Sequence, residues 1–248
     1  MTSIYNFPIN FNISKPVFRA APAVSTPWFT PAQDGFVSNP VSDNLETAAQ
    51  LEAVAKANPR IREILSEYRL PVKVNGKELE KLQRGHLRET RVIAAKICST
   101  LPPDLKQQVN LPDVQTAAMY HDYGKILIPD KVLNKEGKLD DKEREVMNQH
   151  SELGYELLKN KGLSKNALNL IKYHHQKPDG GGYPAADGDF EYGLESEIVN
   201  AADKYTALKE KRSYKDAMTH EEALAEIRKD VASGLISEDV YNALEHIA

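Results

Sequence analysis

The chain has 248 residues, 41% of them hydrophobic and 27% charged, which is apolar enough for a sizeable core and excludes a wholly disordered or fibrous protein. A formal charge of −4 excludes a protein that holds a nucleic-acid polymer by bulk positive field, while leaving room for a small anionic ligand in a locally charged pocket. The single cysteine, Cys98, excludes a disulfide framework and any multi-cysteine metal site, and suits a reducing compartment.

Residues 1–42 hold six of the fourteen prolines and, among them, Phe7, Phe11, Phe18, Trp28, Phe29 and Phe36. No period of 2 or 3.6 persists there, so the expectation is an irregular proline-rich arm. It is either a disordered leader or an extended segment packed through its aromatics on the domain or on a protein partner. The N-terminus lacks the basic start and apolar stretch of a signal peptide, and no apolar run approaches the roughly 18 residues of a membrane span. The expected location is the cytoplasm.

From residue 43 to 248 the texture is helical. Leu45, Ala48, Leu51, Val54 and Ala55 share one face over 44–58, and Pro59 stops that helix. A second helix spans 61–70 and ends before Pro71. Asn75-Gly76 signals a turn, with a minor hairpin near 71–77 at most. Residues 77–101 then read as one long helix with His86 inside it, closed by Pro102-Pro103. Further helices are expected over 113–124, over 140–159 with His150 near the middle, over 165–175 and over 195–209. Thr219 to Glu222 has capping-box form, and Ser237 to Val240 also sits where a helix start belongs. A loop rich in glycine and aspartate, 179–193, precedes the 195–209 helix. Strand signals are scarce, and the fold class is all-α.

His86, His121, Asp122, His150, His174, His175 and Asp203 each stand against apolar stretches of different helices. An unpaired imidazole or carboxylate is costly to bury, so several helices bringing such groups inward suggest a common ionic centre. Nitrogen and carboxylate donors without thiolate suit iron, manganese, zinc, nickel or cobalt. Seven ligands exceed one tetrahedral ion and suit two ions sharing a carboxylate; a proton relay is the other use of such an inventory, for which seven groups are excessive.

The ordered set His121-Asp122-Tyr123-Gly124-Lys125, His150, His174-His175, Asp179-Gly180-Gly181-Gly182-Tyr183-Pro184 and Asp203 resembles the HD-GYP family. That family is a branch of the HD-domain metal-dependent phosphohydrolases, and many of its members are bacterial cyclic di-GMP phosphodiesterases. The similarity runs from Leu79 to Met218, with Pro129, Gly154 and Arg212-Ser213-Tyr214-Lys215 as further agreements. The resemblance implies an HD-domain helical bundle in which His86, His121, Asp122 and Asp203 hold one divalent metal. Asp122 bridges to a second, held by His150, His174 and His175. It implies two transition-metal ions, iron or manganese ahead of nickel, cobalt or zinc, and hydrolysis of a cyclic dinucleotide by a hydroxide bridging them. Lys125 is implied at the scissile phosphate, and Gly182, Tyr183, Arg212 and Lys215 around the small anionic nucleotide. The rival readings are an HD phosphohydrolase for another phosphoester and a non-catalytic nucleotide sensor or docking module.

Three positions depart from the family pattern. Leu82 stands where members with a third metal carry a glutamate, so two ions are expected; Glu78 and Glu80 lie elsewhere on the helix. Gln176 replaces a glutamate after the paired histidines, and Thr206 replaces a second aspartate after Asp203.

Overall fold

Capping side chains and prolines set where the helices begin. The structure, a computed structural model, describes residues 46–188, 190–210 and 216–247. Thr47 opens α1 (Ala48–Ala57) with a capping box, its hydroxyl accepting from the Gln50 N–H while the Gln50 side chain accepts from Thr47 N–H. Asn58 closes α1 and caps α2 (Pro59–Glu67), so Pro59 does more than stop a helix: it occupies a first-turn position that needs no N–H. Asn75 caps α3 (Gly76–Arg84) through its side chain, and its backbone N–H donates to the Ile126 carbonyl at 2.8 Å. The Asn75-Gly76 signal is therefore spent on a helix start, and the hairpin considered near 71–77 does not form. Among the described residues there is no strand, only an isolated bridge between His175 and Tyr183.

Three expected helices are broken, each next to a site residue. The long helix of 77–101 stops at Gly85 (φ −125°, ψ −107°), after which α4 (His86–Thr100) starts on His86 itself; glycine loses more backbone freedom in a helix than other residues and is a weak helix former. After α5 (Pro103–Lys106), α6 (Leu111–Tyr120) ends ahead of His121-Asp122, and a 3-10 helix (Tyr123–Leu127) follows. Beyond α7 (Asp130–Leu133), the helix expected over 140–159 divides at Gln149 into α8 (Asp141–Asn148) and α9 (His150–Leu158), so His150 also opens a helix. The chain completes the bundle with α10 (Lys165–Lys172), α11 (Leu194–Lys209), α12 (His220–Ala232) and α13 (Glu238–Glu245).

The core is a single apolar cluster, with α4 packed on α6 and α11, α10 on α6 and α9, and α9 on the 3-10 helix. A polar clasp aligns three of these helices at their N-terminal ends. Buried Asp113 accepts from Ser164 Oγ at 2.6 Å and Asn166 Nδ2 at 3.0 Å. Glu195 accepts from Asn166 Nδ2 at 2.7 Å and from the Asn110 N–H at 2.6 Å. Since α6, α10 and α11 start together and run the same way, α6 and α10 end beside one another at the far side. There they meet the third turn of α11, which carries Asp203. No helix among the described residues is long and apolar enough to cross a membrane. The arm of residues 1–42 lies outside the described residues.

Candidate metal centre

Helix ends, not helix middles, deliver the imidazoles. His121 and His174 follow the C-termini of α6 and α10, and His150 follows that of α8. Each puts its Nδ1 on the carbonyl three residues earlier: His121 on Ala118 at 3.0 Å, His150 on Met147 at 2.6 Å and His174 on Ile171 at 2.8 Å. These carbonyls belong to last helical turns, where backbone acceptors lack an intrahelical donor. A carbonyl only accepts, so Nδ1 carries a hydrogen in all three rings, and in the neutral His150 and His174 rings Nε2 is left as a lone pair aimed inward.

The seven expected ligands converge as two groups sharing one carboxylate. Asp122, His150, His174 and His175 form one, and His86, His121, Asp122 and Asp203 the other; within each, the donor atoms all lie within 4.8 Å of one another. The two oxygens of Asp122 face different ways. Oδ1 is 3.4 Å from His150 Nε2 and 3.9 Å from His174 Nε2, whereas Oδ2 is 3.5 Å from His121 Nε2 and 3.9 Å from His86 Nε2. Asp203 Oδ1 lies 2.9 Å from His86 Nε2 and 3.4 Å from His121 Nε2. His121 Nε2 and Asp122 Oδ1 are buried without any hydrogen bond. Imidazole and carboxylate donors grouped at this spacing could hold divalent metal, the chemistry expected of such a set.

Charge is distributed unevenly across the centre. Burial pushes His150 down to about 3 and His175 to about 4, and holds His174 well below the usual imidazole range. Burial opposes charge on His121 and His86 too, but Asp122 and Asp203 raise His121 to about 10, and Asp203 with Glu210 raises His86. Asp122 and Asp203 are themselves buried; Lys125 and His121 hold the first well below the ordinary carboxylate value, and His121 with His86 does the same for the second. Lys125 Nζ donates to Asp122 Oδ2 at 2.5 Å, which places it at the bridging carboxylate.

Two glycines let the halves close. A Cβ on Gly124 would lie 2.0 Å from the His150 carbonyl oxygen, and one on Gly154 would lie 3.2 Å from the Gly124 nitrogen. Bare backbone is what brings α9 against the 3-10 helix. Gly182 is similar: a Cβ there would meet the His175 carbonyl at 2.2 Å. The Tyr183 ring lies over His175, centroids 4.7 Å apart. Buried Gln176 pins this loop, donating from Nε2 to the Pro184 carbonyl at 2.5 Å. Leu82 is buried in the apolar core, Thr206 is buried with its hydroxyl unbonded, and Glu78 is buried, its carboxyl pKa raised by that burial. None of the three belongs to a ligand group among the described residues. Arg212 and Lys215 lie outside the described residues. Glu210 escaped the sequence reading: its Oε1 lies 3.2 Å from His86 Nδ1. The available signal was its spacing, seven residues or two helical turns after Asp203.

Residues 63–239 match the family described as HD domain. Among curated relatives, the chain is 44% identical over 115 residues to the cyclic di-GMP phosphodiesterase response regulator RpfG of Xanthomonas campestris, covering 45% of this chain and 30% of the relative. It is 36% identical over 138 residues to a cyclic di-GMP phosphodiesterase of Thermotoga maritima, covering 55% and 37%. A 3'3'-cGAMP-specific phosphodiesterase of Vibrio cholerae is 39% identical over 116 residues, covering 46% and 22%. The chain thus spans well under half the length of the curated relatives it matches. Among solved structures, a HDG"Y"P protein from Bdellovibrio bacteriovorus superposes with a TM-score of 0.51 at 14% identity, over 80% of this chain and 62% of that one.

Proposed function

The chain belongs to the HD-domain family, in its HD-GYP branch, and on that premise we propose that it is a metal-dependent phosphodiesterase that opens a cyclic dinucleotide, cyclic di-GMP being the substrate we favour. One observation carries the reading. His150 Nε2 and His174 Nε2 face each other at 3.2 Å, while both Nδ1–H groups are engaged with carbonyls. Two lone pairs at that distance repel, and Ser151 Oγ, 3.4 Å from His150 Nε2, is at the edge of hydrogen-bond reach. Burial disfavours a proton on either ring. A cation between them, shared with Asp122 and His175, turns the repulsion into coordination. Relatives named for cyclic di-GMP and for 3'3'-cGAMP support the substrate class.

Two bound divalent ions supply an activated water near neutral pH and positive charge for the phosphodiester oxygens. The protein's own residues do the rest. Asp122 divides its two oxygens between the ligand groups and so sets their separation. Lys125, beside Asp122, offers its ammonium to the phosphate as negative charge grows in the in-line displacement. Tyr183 places an aromatic ring over His175, suited to a purine ring. Arg212 and Lys215 are assigned to the outer phosphate, as the family pattern implies.

The test is metal content and turnover in one preparation, with cyclic di-GMP, 3'3'-cGAMP and a plain phosphodiester offered in parallel under reducing conditions with iron and manganese. Wild type is expected to carry two ions and to cleave cyclic di-GMP fastest, and Asp122→Ala to lose roughly 10³-fold of that rate or more, about 4 kcal/mol. Cleavage of the plain diester alone moves the reading to a general phosphohydrolase. Tight nucleotide binding without turnover moves it to a sensor.

A further inference from the structure

His121, His150 and His174 are each oriented by the carbonyl three residues earlier. His86 is not. It is the first residue of α4, directly after the break at Gly85, and its Nδ1 makes no hydrogen bond to a backbone carbonyl. The group beside that nitrogen is the Glu210 carboxylate, with Oε1 at 3.2 Å, an ion-pair distance at an angle short of a well-formed hydrogen bond. On the other side of the ring, Nε2 lies 2.9 Å from Asp203 Oδ1.

We propose that Glu210 is the positioning residue for His86: its carboxylate takes the Nδ1–H and thereby turns Nε2 towards the ion shared with His121, Asp122 and Asp203. This rests on the metal reading above. Three features separate the contact from an incidental surface pair. The His86 side chain is only 11% exposed and that of Glu210 27%. Glu210 is fixed by the fold, since α11 ends on it with its N–H bonded to the Thr206 carbonyl at 3.0 Å, and the chain is back against α11 by Met218, whose N–H donates to the Leu208 carbonyl at 3.1 Å. And α11, packed on α4, supplies both Asp203 as ligand and Glu210 two turns later as the orienting group. A metal-bound imidazole needs its other nitrogen to be a held N–H, and a carboxylate acceptor also makes the ring a stronger donor to the ion. Where His121, His150 and His174 use helix-end carbonyls, His86 Nδ1 has no carbonyl partner and faces a side chain instead. Glu210 is also the residue from which the segment carrying Arg212 and Lys215 departs, so the ring at one ion is tied to the start of that segment.

The experiment is titration of the metal-free full-length chain with Co(II), whose visible absorption reports coordination, followed by competition with a chelator. Wild type, Glu210→Ala, Glu210→Gln and His86→Ala are compared, with the thermal midpoint of each metal-free protein recorded. Glu210→Ala is expected to weaken one of two sites by about 10–100-fold. That site is the one His86→Ala removes, while the other site stays unchanged and the metal-free protein remains folded. Glu210→Gln keeps an oxygen that accepts the N–H and is expected to recover most of the affinity. Unchanged affinity in Glu210→Ala overturns the inference, as does a Glu210→Gln loss equal to that of the alanine variant, which would make the carboxylate a direct ligand. A wild type that takes up no metal overturns the metal reading itself, and this inference with it.

Discussion

Asp122 divides the centre into halves that treat buried charge in opposite ways. On one side three imidazoles, His150, His174 and His175, face a single carboxylate oxygen, and burial keeps all three neutral. On the other, His86 and His121 face the Asp122 and Asp203 carboxylates, which overcome the same burial and favour protonated rings. A proton can therefore stand in for a cation on the carboxylate-rich side. On the imidazole-rich side it cannot, and removing metal there leaves lone pair against lone pair. The lesson is that one buried cluster joins a carboxylate-rich group, where a cation would compete with protons, to an imidazole-rich group that holds no proton near neutral pH.

The sharpest way to break this comparison is to part the halves mechanically. Gly124→Ala sets a methyl 2.0 Å from the His150 carbonyl, so α9 must retreat from the 3-10 helix. The expected cost exceeds about 4 kcal/mol of stability. In the protein that still folds, bound metal falls from two ions to one, held by the carboxylate-rich side. Gly154→Ala is the milder probe, since its Cβ meets Gly124 nitrogen at 3.2 Å; it should cost about 1–3 kcal/mol and retain both ions weakly. Chemical denaturation and metal analysis read both. Loss of both ions together in Gly154→Ala would show that the halves do not bind independently.

Much of this was legible in the residue string, and what was not has a local cause. The all-α class followed from 3.6-residue periodicity and capping residues, and the seven residues that converge from polar groups set against apolar stretches. The helix breaks at Gly85 and Gln149 did not, because apolar periodicity continues across both and neither residue forces a stop. Those breaks turn His86 and His150 from mid-helix residues into helix starts. The carbonyl clamps on Nδ1 were equally hidden, since which carbonyls are orphaned depends on where a helix ends. Glu210 was missed because a glutamate at the end of a helix ordinarily reads as solvated charge.

Acid titration of the metal-free protein sharpens the comparison next. On the imidazole-rich side the folded pKa values, about 3 for His150 and about 4 for His175, lie below the ordinary 6.5, so the unfolded chain binds protons there first. Stability is lost as pH falls from about 6.5 towards 4, on the order of 3 kcal/mol for each ring that stays neutral. His121, raised to about 10, acts in the other direction: its contribution is complete below 6.5 and is lost as pH climbs through 10. Denaturant midpoints across this range should fall at both ends. His175→Gln should flatten the acid limb and leave the alkaline limb in place; an acid limb unchanged by that substitution would remove the neutral imidazoles as its cause.

The smallest expected effect asks whether the Tyr183 loop is energetically separate from the imidazole-rich group it packs on. Gln176 uses its whole amide, with Nε2 donating to the Pro184 carbonyl and Oε1 accepting from the Lys177 N–H at 3.3 Å. Glu at this position, the residue the family commonly carries, keeps the acceptor but sets a carboxylate oxygen against a carbonyl oxygen in this chain. The loop loses its pin on the side facing His175, at a cost of about 1–2 kcal/mol. Because Gln176 is no ligand, both metal affinities should hold in Gln176→Glu, while KM rises roughly 3–10-fold as Tyr183 loosens over His175. If metal affinity falls with KM, the loop and the imidazole-rich half form one unit, and the boundary drawn at Asp122 must be widened to include residues 176–184.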